Sequence, residues 1–492
     1  MSSGNLKQKA ASGVVWTALQ KFSRILIQFI SGIILARLLT PYDYGCIGLL
    51  SIFMVLAEVF IDGGFGSALI QKKRPTQEDY STVFFWNIGM AVLMYVILFL
   101  SAPAISKFYN IPVLSNVLRV QGLVFFIYAL NVVQRNQLKK QLNFKLLSLI
   151  TIITSITSLA VTIIMAYKGF GVWALVTQNL VSATIPSIVF WFYVRWRPSP
   201  IFSVKSFKEL FSFGFYMFLT HLINDFSSHI QGLLIGKLYS PVTMGYYSKA
   251  QGTEKLASRS ISQIMTQVTY PLYAEVQDNK TILIQMIKRL MTTIAYITFP
   301  VMFILLLTAE PLFILLYSDR WVNSILYFRV LCIAGLAVCL QSVNLQAIAA
   351  IGKSRTMFLW TLLKRGLGVG FSVIGLFVWG MKGLLVGVVI HTWFSYFVNI
   401  GLVSKYIGYK WSRQMRDILP IFLVSIVSTL FSFVCGELLN LSLYLDGFVK
   451  AVLFITIYMV WSIVFKPDAY EYVVNMVSQK YHLGDRFKHS KK

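Results

Sequence analysis

Charge is scarce in this chain. Only 13% of its 492 residues are Asp, Glu, Lys or Arg, against about 25% in an ordinary soluble domain. A soluble chain of this length would form several domains with polar surfaces and linkers, and so few charges cannot cover them. Low-complexity, Pro-rich and Ser-rich stretches are missing too, so nothing reads as a disordered tail. Cysteine is rare. Cys46, Cys332, Cys339 and Cys435 form no CxxC pair, and no His/Cys cluster has metal-ligand spacing, which argues against a disulfide framework and a structural zinc. Nucleophile-elbow, P-loop and zinc-protease motifs are absent, which excludes an ATP-driven pump within this chain. A cleavable signal peptide is not expected either. The segment after Met1 is polar, the first apolar stretch contains Lys21 and Arg24, and no small-residue cleavage site follows it.

What the chain has is apolar length. Hydrophobic residues make up 57% of it. At about 20 apolar residues per spanning helix, that is enough for around fourteen spans. Runs of that length fall near 14–36, 45–67, 82–103, 114–134, 146–166, 172–194, 210–236, 246–270, 291–316, 325–350, 356–379, 383–404, 418–436 and 447–465. The expected fold class is an all-α integral membrane protein. The net charge of +26 then reflects cations loaded into cytoplasmic loops rather than nucleic-acid binding. With the N-terminus inside, 30 of the 44 Lys and Arg fall in cytoplasmic segments, counting Arg135, Lys139 and Lys140 after span four and Lys364 and Arg365 at the start of the 356–379 run with the loops, and six in external loops. A wrong span count would scramble that alternation, so both termini are expected in the cytoplasm. The external loops are short and hold no domain.

An internal repeat divides the chain. Residues 35–45, including Arg37-Leu38-Leu39-Thr40-Pro41 and Gly45, match residues 235–245, including Lys237-Leu238-Tyr239-Ser240-Pro241 and Gly245, at an offset of 200. A weaker echo links Gly169–Val176 with Gly380–Gly387. Six spans separate the copies, an even number, so the halves are expected to be parallel repeats about an axis along the membrane normal. The expected divisions are 1–200 (spans 1–6), 201–410 (spans 7–12), two extra spans over 411–466, and a basic cytoplasmic tail over 467–492.

Charge at the centre of a span costs about 2.5–3.5 kcal/mol on insertion scales, so it usually faces a wet interior. Lys21, Arg24 and Gln28 share one face of span one. The 200-residue offset carries that stripe onto His221, Asn224 and Ser228 in span seven, with Asp225 beside them. A polar path between the halves explains both stripes; for Lys21, snorkelling to the headgroups is the alternative. Span eight carries Lys249, Glu254, Lys255 and Arg259. It either lines water, pairs its charges with neighbours, or runs partly along the interface. Glu58 and Asp62 share a face of span two and read two ways: as a site for a coupling proton or cation, or as salt-bridge partners of Lys72–Arg74. Glu310 and Arg329 read as a structural pair. Gly366, Gly368 and Gly370 read as close helix packing.

Several segments together resemble a known family: Ala36–Gly45, Asp62-Gly63-Gly64-Phe65-Gly66 through Gln71, Ser81–Asn87, Gly171–Val176, Gly245–Ala250 and Trp196-Arg197-Pro198. The chain is similar to the polysaccharide transporter (Wzx, WzxC-like) branch of the multidrug/oligosaccharidyl-lipid/polysaccharide (MOP) exporter superfamily over most of 10–410. The resemblance implies a V-shaped bundle with lobes of spans 1–6 and 7–12. It implies a flippase, not an enzyme, that moves undecaprenyl-pyrophosphate-linked oligosaccharide across the bacterial cytoplasmic (inner) membrane by alternating access. Membrane lipids, a polysaccharide polymerase and chain-length machinery are the further partners. On that reading the anionic headgroup meets Lys21, Arg24, Gln28, His221, Asn224, Lys249, Lys255 and Arg259. A gradient of H+ or Na+ acts through Asp225, Glu58, Asp62 or Glu254, and no other cofactor is needed. The rivals are a drug/cation antiporter of the same superfamily and a membrane-embedded polymerase or glycosyltransferase. Short external loops and the lack of an Asp-x-Asp motif disfavour the latter.

Overall fold

The computed structural model describes residues 3–475, without the side chains of 3–15, 18, 259, 264–268, 270, 271, 274, 354 and 355. The end of the expected basic tail, 476–492, lies outside the described residues. Every extended regular element within them is a helix. Eleven helical stretches are long and apolar enough to cross a membrane. Two more helices, each of 35 residues, have spanning length but carry polar stripes. One apolar stretch is two helices joined at a break. Eleven among the described residues is fewer than the fourteen expected from the sequence, which is reached only if those two helices and both halves of the broken one are each counted as a span. The chain is a multi-pass membrane protein, and it divides into two compact units, Met1–Ser248 and Lys249–Lys492.

The first unit runs through α1 (Ser3–Leu38), α2 (Pro41–Asp62), α3 (Phe65–Gln71), α4 (Gln77–Tyr109), α5 (Val113–Gln121), α6 (Val124–Lys140), α7 (Phe144–Tyr167), α8 (Val172–Tyr193), α9 (Val204–Leu238) and the start of α10 (Pro241–Glu275). α1 lies along α7 because α7 offers small hydroxyl residues at helical spacing. Ser148, Ser158 and Thr162 are buried, so the two backbones can approach closely. Ser148 Oγ lies 3.0 Å from the Trp16 carbonyl, and Gln20 Nε2 donates to Thr151 Oγ1 at 2.9 Å.

The Thr-Pro motif of the repeat is a helix start. The Thr40 side chain accepts from the Asp43 N–H, and the Asp43 carboxylate accepts from the Thr40 N–H at 2.9 Å. This is a capping box with proline at the first helical position, where its missing N–H costs nothing. The second copy keeps half of it: Ser240 Oγ accepts from the Thr243 N–H at 3.1 Å, and Thr243 has no carboxylate to return the bond. The glycines of the motif explain the rest. A Cβ on Gly45 would lie 1.8 Å from the Pro241 carbonyl oxygen, and a Cβ on Gly245 would lie 1.8 Å from that of Pro41. The two copies therefore cross reciprocally, each glycine seated on the other's proline.

The second unit continues α10 into α11 (Lys280–Leu307), α12 (Ala309–Tyr317), α13 (Asn323–Ala350), α14 (Ser354–Tyr406), α15 (Trp411–Leu439) and α16 (Leu443–Phe465). α11 and α13 form its centre, with Met291, Ile294 and Phe299 in one cluster with Ala337, Leu340 and Val343. α14 is two helices joined at Trp379 and Gly380, the latter at φ 63°. They fold together where a Cβ on Gly383 would lie 1.9 Å from the Gly375 carbonyl oxygen. Of the three glycines expected to pack closely, only Gly368 does, against the His391 ring; Gly366 and Gly370 have open space. α15 and α16 are tied by Lys450, which pairs with Asp446 at 2.7 Å and Glu437 at 3.0 Å. Glu310 and Arg329 pair at 3.5 Å, as the sequence indicates. Large apolar side chains on α4 and α15, among them Leu93, Ile97, Val427 and Phe431, are exposed, as helices facing lipid require.

Candidate functional site: an acidic cleft in the first unit

Four ionisable residues singled out in the sequence come together in the first unit. Glu58 and Asp62, one turn apart on α2, and His221 and Asp225, one turn apart on α9, line one cleft of about 200 Å³. Each pair is spaced i,i+4, so each shares a helix face, and the two faces meet. Phe60 of α2 meets Phe218 of α9 edge to face at 5.2 Å beside the cleft. Farther along the same helix pair, Ser51 Oγ and His229 Nδ1 lie 3.2 Å apart.

Local sequence sets the cleft's inner end. α2 stops at Gly63-Gly64, which take φ of 55° and 77°, a left-handed turn that glycine adopts without steric cost. Gly64 also lets α9 in, since a Cβ there would lie 2.0 Å from the Gly214 carbonyl oxygen. The turn folds back so that the N–H groups of Gly64 and Gly66 donate to the Asp62 carboxylate. Asp62 is thus tied to the backbone, whereas Glu58 and Asp225 face each other's charge across the cleft.

The sequence reading missed the third wall. α6 supplies Tyr128 to the cleft lining. Arg135 and Lys139 on the same helix lie within electrostatic reach of Glu58 and Asp62 respectively. Arg135 lies seven residues from Tyr128, on one face of α6. These two cations were counted with the loops, but α6 continues to Lys140. Lys364, at the start of the 356–379 run, is likewise counted with the loop cations on the sequence reading. It lies inside α14, where its buried ammonium donates to Asn399 Oδ1 at 2.6 Å. An apolar-window reading treats every cation as a loop marker, and an amide partner makes that wrong here.

The proposed salt bridge from Glu58 and Asp62 to Lys72–Arg74 is not formed. Lys72 pairs with Asp79 and Glu209, both at 3.0 Å. Its partial burial works against the charge, but hydrogen bonds to those carboxylates outweigh this and hold its pKa above the usual lysine value.

The other candidates lie elsewhere. Arg24 and Gln28 are exposed on α1, Lys21 is half-buried, and Asn224 is half-buried on α9. In the second unit Lys249 is buried, with its ammonium 3.8 Å from the centre of the Tyr317 ring and 5.6 Å from that of Trp321. Thr253 Oγ1, one turn on, lies 3.1 Å from the Tyr317 hydroxyl. Glu254 is buried against α13, where a Cβ on Gly335 would lie 2.6 Å from its Oε1. Lys255 is half-buried, and the side chain of Arg259 lies outside the described residues. Among the described residues no three His, Cys, Asp or Glu side chains are grouped to hold a metal ion.

Known proteins resemble the chain in sequence and in fold. The teichuronic acid biosynthesis protein TuaB of Bacillus subtilis is 25% identical over 374 residues, covering 75% of this chain and 77% of that protein. The lipopolysaccharide biosynthesis protein WzxC of Escherichia coli is 22% identical over 442 residues, 89% of each chain. Among solved structures, the lipid II flippase MurJ in an inward closed conformation superposes with a TM-score of 0.72 at 14% identity, covering 92% of this chain and 99% of that one. The fold is that of MOP-superfamily transporters, as the sequence resemblance implies. Residues 34–326 match the family described as polysaccharide biosynthesis protein; that is more than half of the sequence, and the chain belongs to this family.

Proposed function

We propose that the chain is a flippase for lipid-linked oligosaccharide in surface polysaccharide biosynthesis, and not an enzyme. The observation that carries the reading is the match of a polysaccharide-biosynthesis family to a chain with the fold of a lipid flippase over nearly its whole length. The substrate is an oligosaccharide on undecaprenyl pyrophosphate, flipped across the bacterial cytoplasmic membrane with both termini of the protein in the cytoplasm. Lys21, Arg24, Gln28, His221, Asn224, Lys249, Lys255 and Arg259 are the proposed contacts for the anionic headgroup. The exposed Arg24 offers a planar fork matched to phosphate oxygens.

Coupling runs through the cleft. Glu58, Asp62 and Asp225 accept H+ or Na+, and Glu254 is the candidate in the second unit. Polymerase and chain-length proteins act next on the flipped unit. Deleting the protein and measuring undecaprenyl-linked lipids by mass spectrometry tests the reading. Accumulated full-length repeat units with loss of surface glycan are expected, and unchanged lipids and glycan would refute it.

One observation favours a second reading, a drug/cation antiporter. The cleft is acidic and carries aromatic Tyr128 and Phe218, as an organic cation requires. New drug sensitivity in the deletion strain, with unchanged lipids, would select it.

A further inference from the structure

A second cleft, unrelated to the acidic one, lies in the second unit where two spans end together. After α16 the chain turns at Lys466-Pro467 and is helical again over 468–475. That segment is anchored. Ala469 is buried, and Tyr470 and Val473 pack on the core of the unit. Between it and the start of α11 is a cavity of about 430 Å³ lined by Gln285, Lys288, Arg289, Asp468, Glu471 and Tyr472, among others. This falls in the range of about 300–1,000 Å³ typical of small-molecule sites.

The lining carries both signs of charge in an ordered arrangement. Lys288 is held between Asp417 at 3.4 Å and Asp468 at 3.8 Å. The Arg289 guanidinium lies 3.8 Å from the centre of the Tyr472 ring. The guanidinium lines the cavity, and its N–H groups donate no hydrogen bond among the described residues. Glu471 has no ion-pair partner among them either. One guanidinium without a hydrogen-bond acceptor and one carboxylate without an ion-pair partner, among the described residues, therefore border the same cavity.

Depth identifies what reaches it. α11 carries its last charges at Lys288 and Arg289 and is uncharged from Leu290, and α16 is uncharged from Ala451 to Phe465. The cavity thus lies at the polar boundary of two membrane spans, the level of lipid headgroups. On the apolar side, Ile463, Val464 and Phe465 are all more than half exposed and offer a surface for acyl chains.

We propose that this cleft binds the headgroup of a phospholipid carrying both a phosphate and a primary amine, the phosphatidylethanolamine class. The phosphate oxygens accept from the Arg289 edge, and the ammonium donates to Glu471 and Asp468. An anionic headgroup without the amine leaves Glu471 facing a phosphate. A quaternary amine cannot donate to it. The inference does not depend on the flippase reading.

The test uses the purified full-length protein, delipidated in detergent and titrated separately with phosphatidylethanolamine, phosphatidylcholine, phosphatidylglycerol and the chain-free headgroup glycerophosphoethanolamine. Bound lipid is counted by native mass spectrometry and thermal stabilisation is followed in parallel. Phosphatidylethanolamine is expected to bind at least tenfold more tightly than phosphatidylglycerol, with phosphatidylcholine between them. Arg289→Gln should weaken all three phospholipids about equally. Glu471→Gln should remove the preference over phosphatidylglycerol. Both side chains are at the surface, and an unchanged melting curve without lipid confirms that each variant folds. Equal binding of the three lipids, or a preference unmoved by Glu471→Gln, overturns the proposal. Glycerophosphoethanolamine binding as tightly as the whole lipid would make this a site for a small soluble zwitterion and overturn the lipid assignment.

Discussion

The two units treat their ionisable residues in opposite ways. In the first, Glu58, Asp62, His221 and Asp225 stand along an open cleft. In the second, Lys249 is sealed against Tyr317 and Trp321, and Glu254 is closed off by the bare face of Gly335. The sequence places comparable polar stripes in both, at helical spacing and in helices of the same length. Neighbours make the difference. In the first unit an acidic stripe on α2 meets a polar stripe on α9, and two faces that both need water hold a groove open. In the second, α12 and the turn after it bring two large rings over a single ammonium, and aromatic faces replace the water. A polar stripe in a spanning helix therefore marks a group that must be satisfied, and the partner helix decides whether solvent or side chains satisfy it.

The largest expected effects break this contrast at its closed end. Trp321 is fully buried, and Trp321→Ala should cost the second unit about 3–5 kcal/mol, read as a lower melting temperature in detergent. Phe218→Ala on the wall of the open cleft should cost well under half of that, because water already reaches the site. Equal losses would show that the cleft is packed as tightly as the cage.

Next come the glycines of the repeat. Gly45→Ala and Gly245→Ala each push a methyl group into the other copy's proline carbonyl, so each should cost about 1–3 kcal/mol or more. Because the two contacts share one crossing, the double variant should cost less than the sum. Gly89→Ala, with open space around its Cβ position, should be neutral or slightly stabilising. Strict additivity of the first two would mean the copies do not brace one another.

The helix starts give a smaller difference. Thr40→Ala removes a cap that accepts from Asp43 and should cost about 1 kcal/mol. Ser240→Ala, at the half-formed copy, should cost less. Both are read from the same melting curves.

The smallest effect is one of pH. The Lys72 pKa is raised in the folded chain, mainly through hydrogen bonds to Asp79 and Glu209 that outweigh desolvation. Its contribution to stability is full below the unfolded value of about 10.4 and is lost as pH rises through the folded value. A slight fall in melting temperature above that pH should vanish in Asp79→Asn.

Much of this was legible in the sequence, and the limit has a physical form. Periodicity along one helix shows which residues share a face, so the i,i+4 pairs Glu58/Asp62 and His221/Asp225 could be read, as could the Thr/Ser-Pro-x-x-x-Gly repeat. That the two pairs face each other, or that each repeat glycine seats on the other's proline, is a fact about residues more than 150 apart and leaves no local trace. Tyr128 and Phe218 looked like ordinary apolar positions. Arg135 and Lys139 looked like loop cations because charge was read as the end of a span. Lys249 was legible as a polar residue in a span, but its aromatic partners lie some 70 residues on, at the end of α12 and in the turn after it, which the hydropathy pattern passes over.

We propose that coupling of transport to an ion gradient runs through the open cleft of the first unit, with the closed Glu254 site of the second as the alternative. The most direct measurement is translocation of a lipid-linked oligosaccharide by the reconstituted protein, with and without an imposed pH or Na+ gradient, for Glu58→Gln, Asp62→Asn and Asp225→Asn, with Lys249→Met and Glu254→Gln beside them. The account predicts that at least one cleft variant loses its gradient dependence while Lys249→Met and Glu254→Gln keep theirs. Gradient dependence unchanged in all three cleft variants, or lost only in Glu254→Gln, would contradict it.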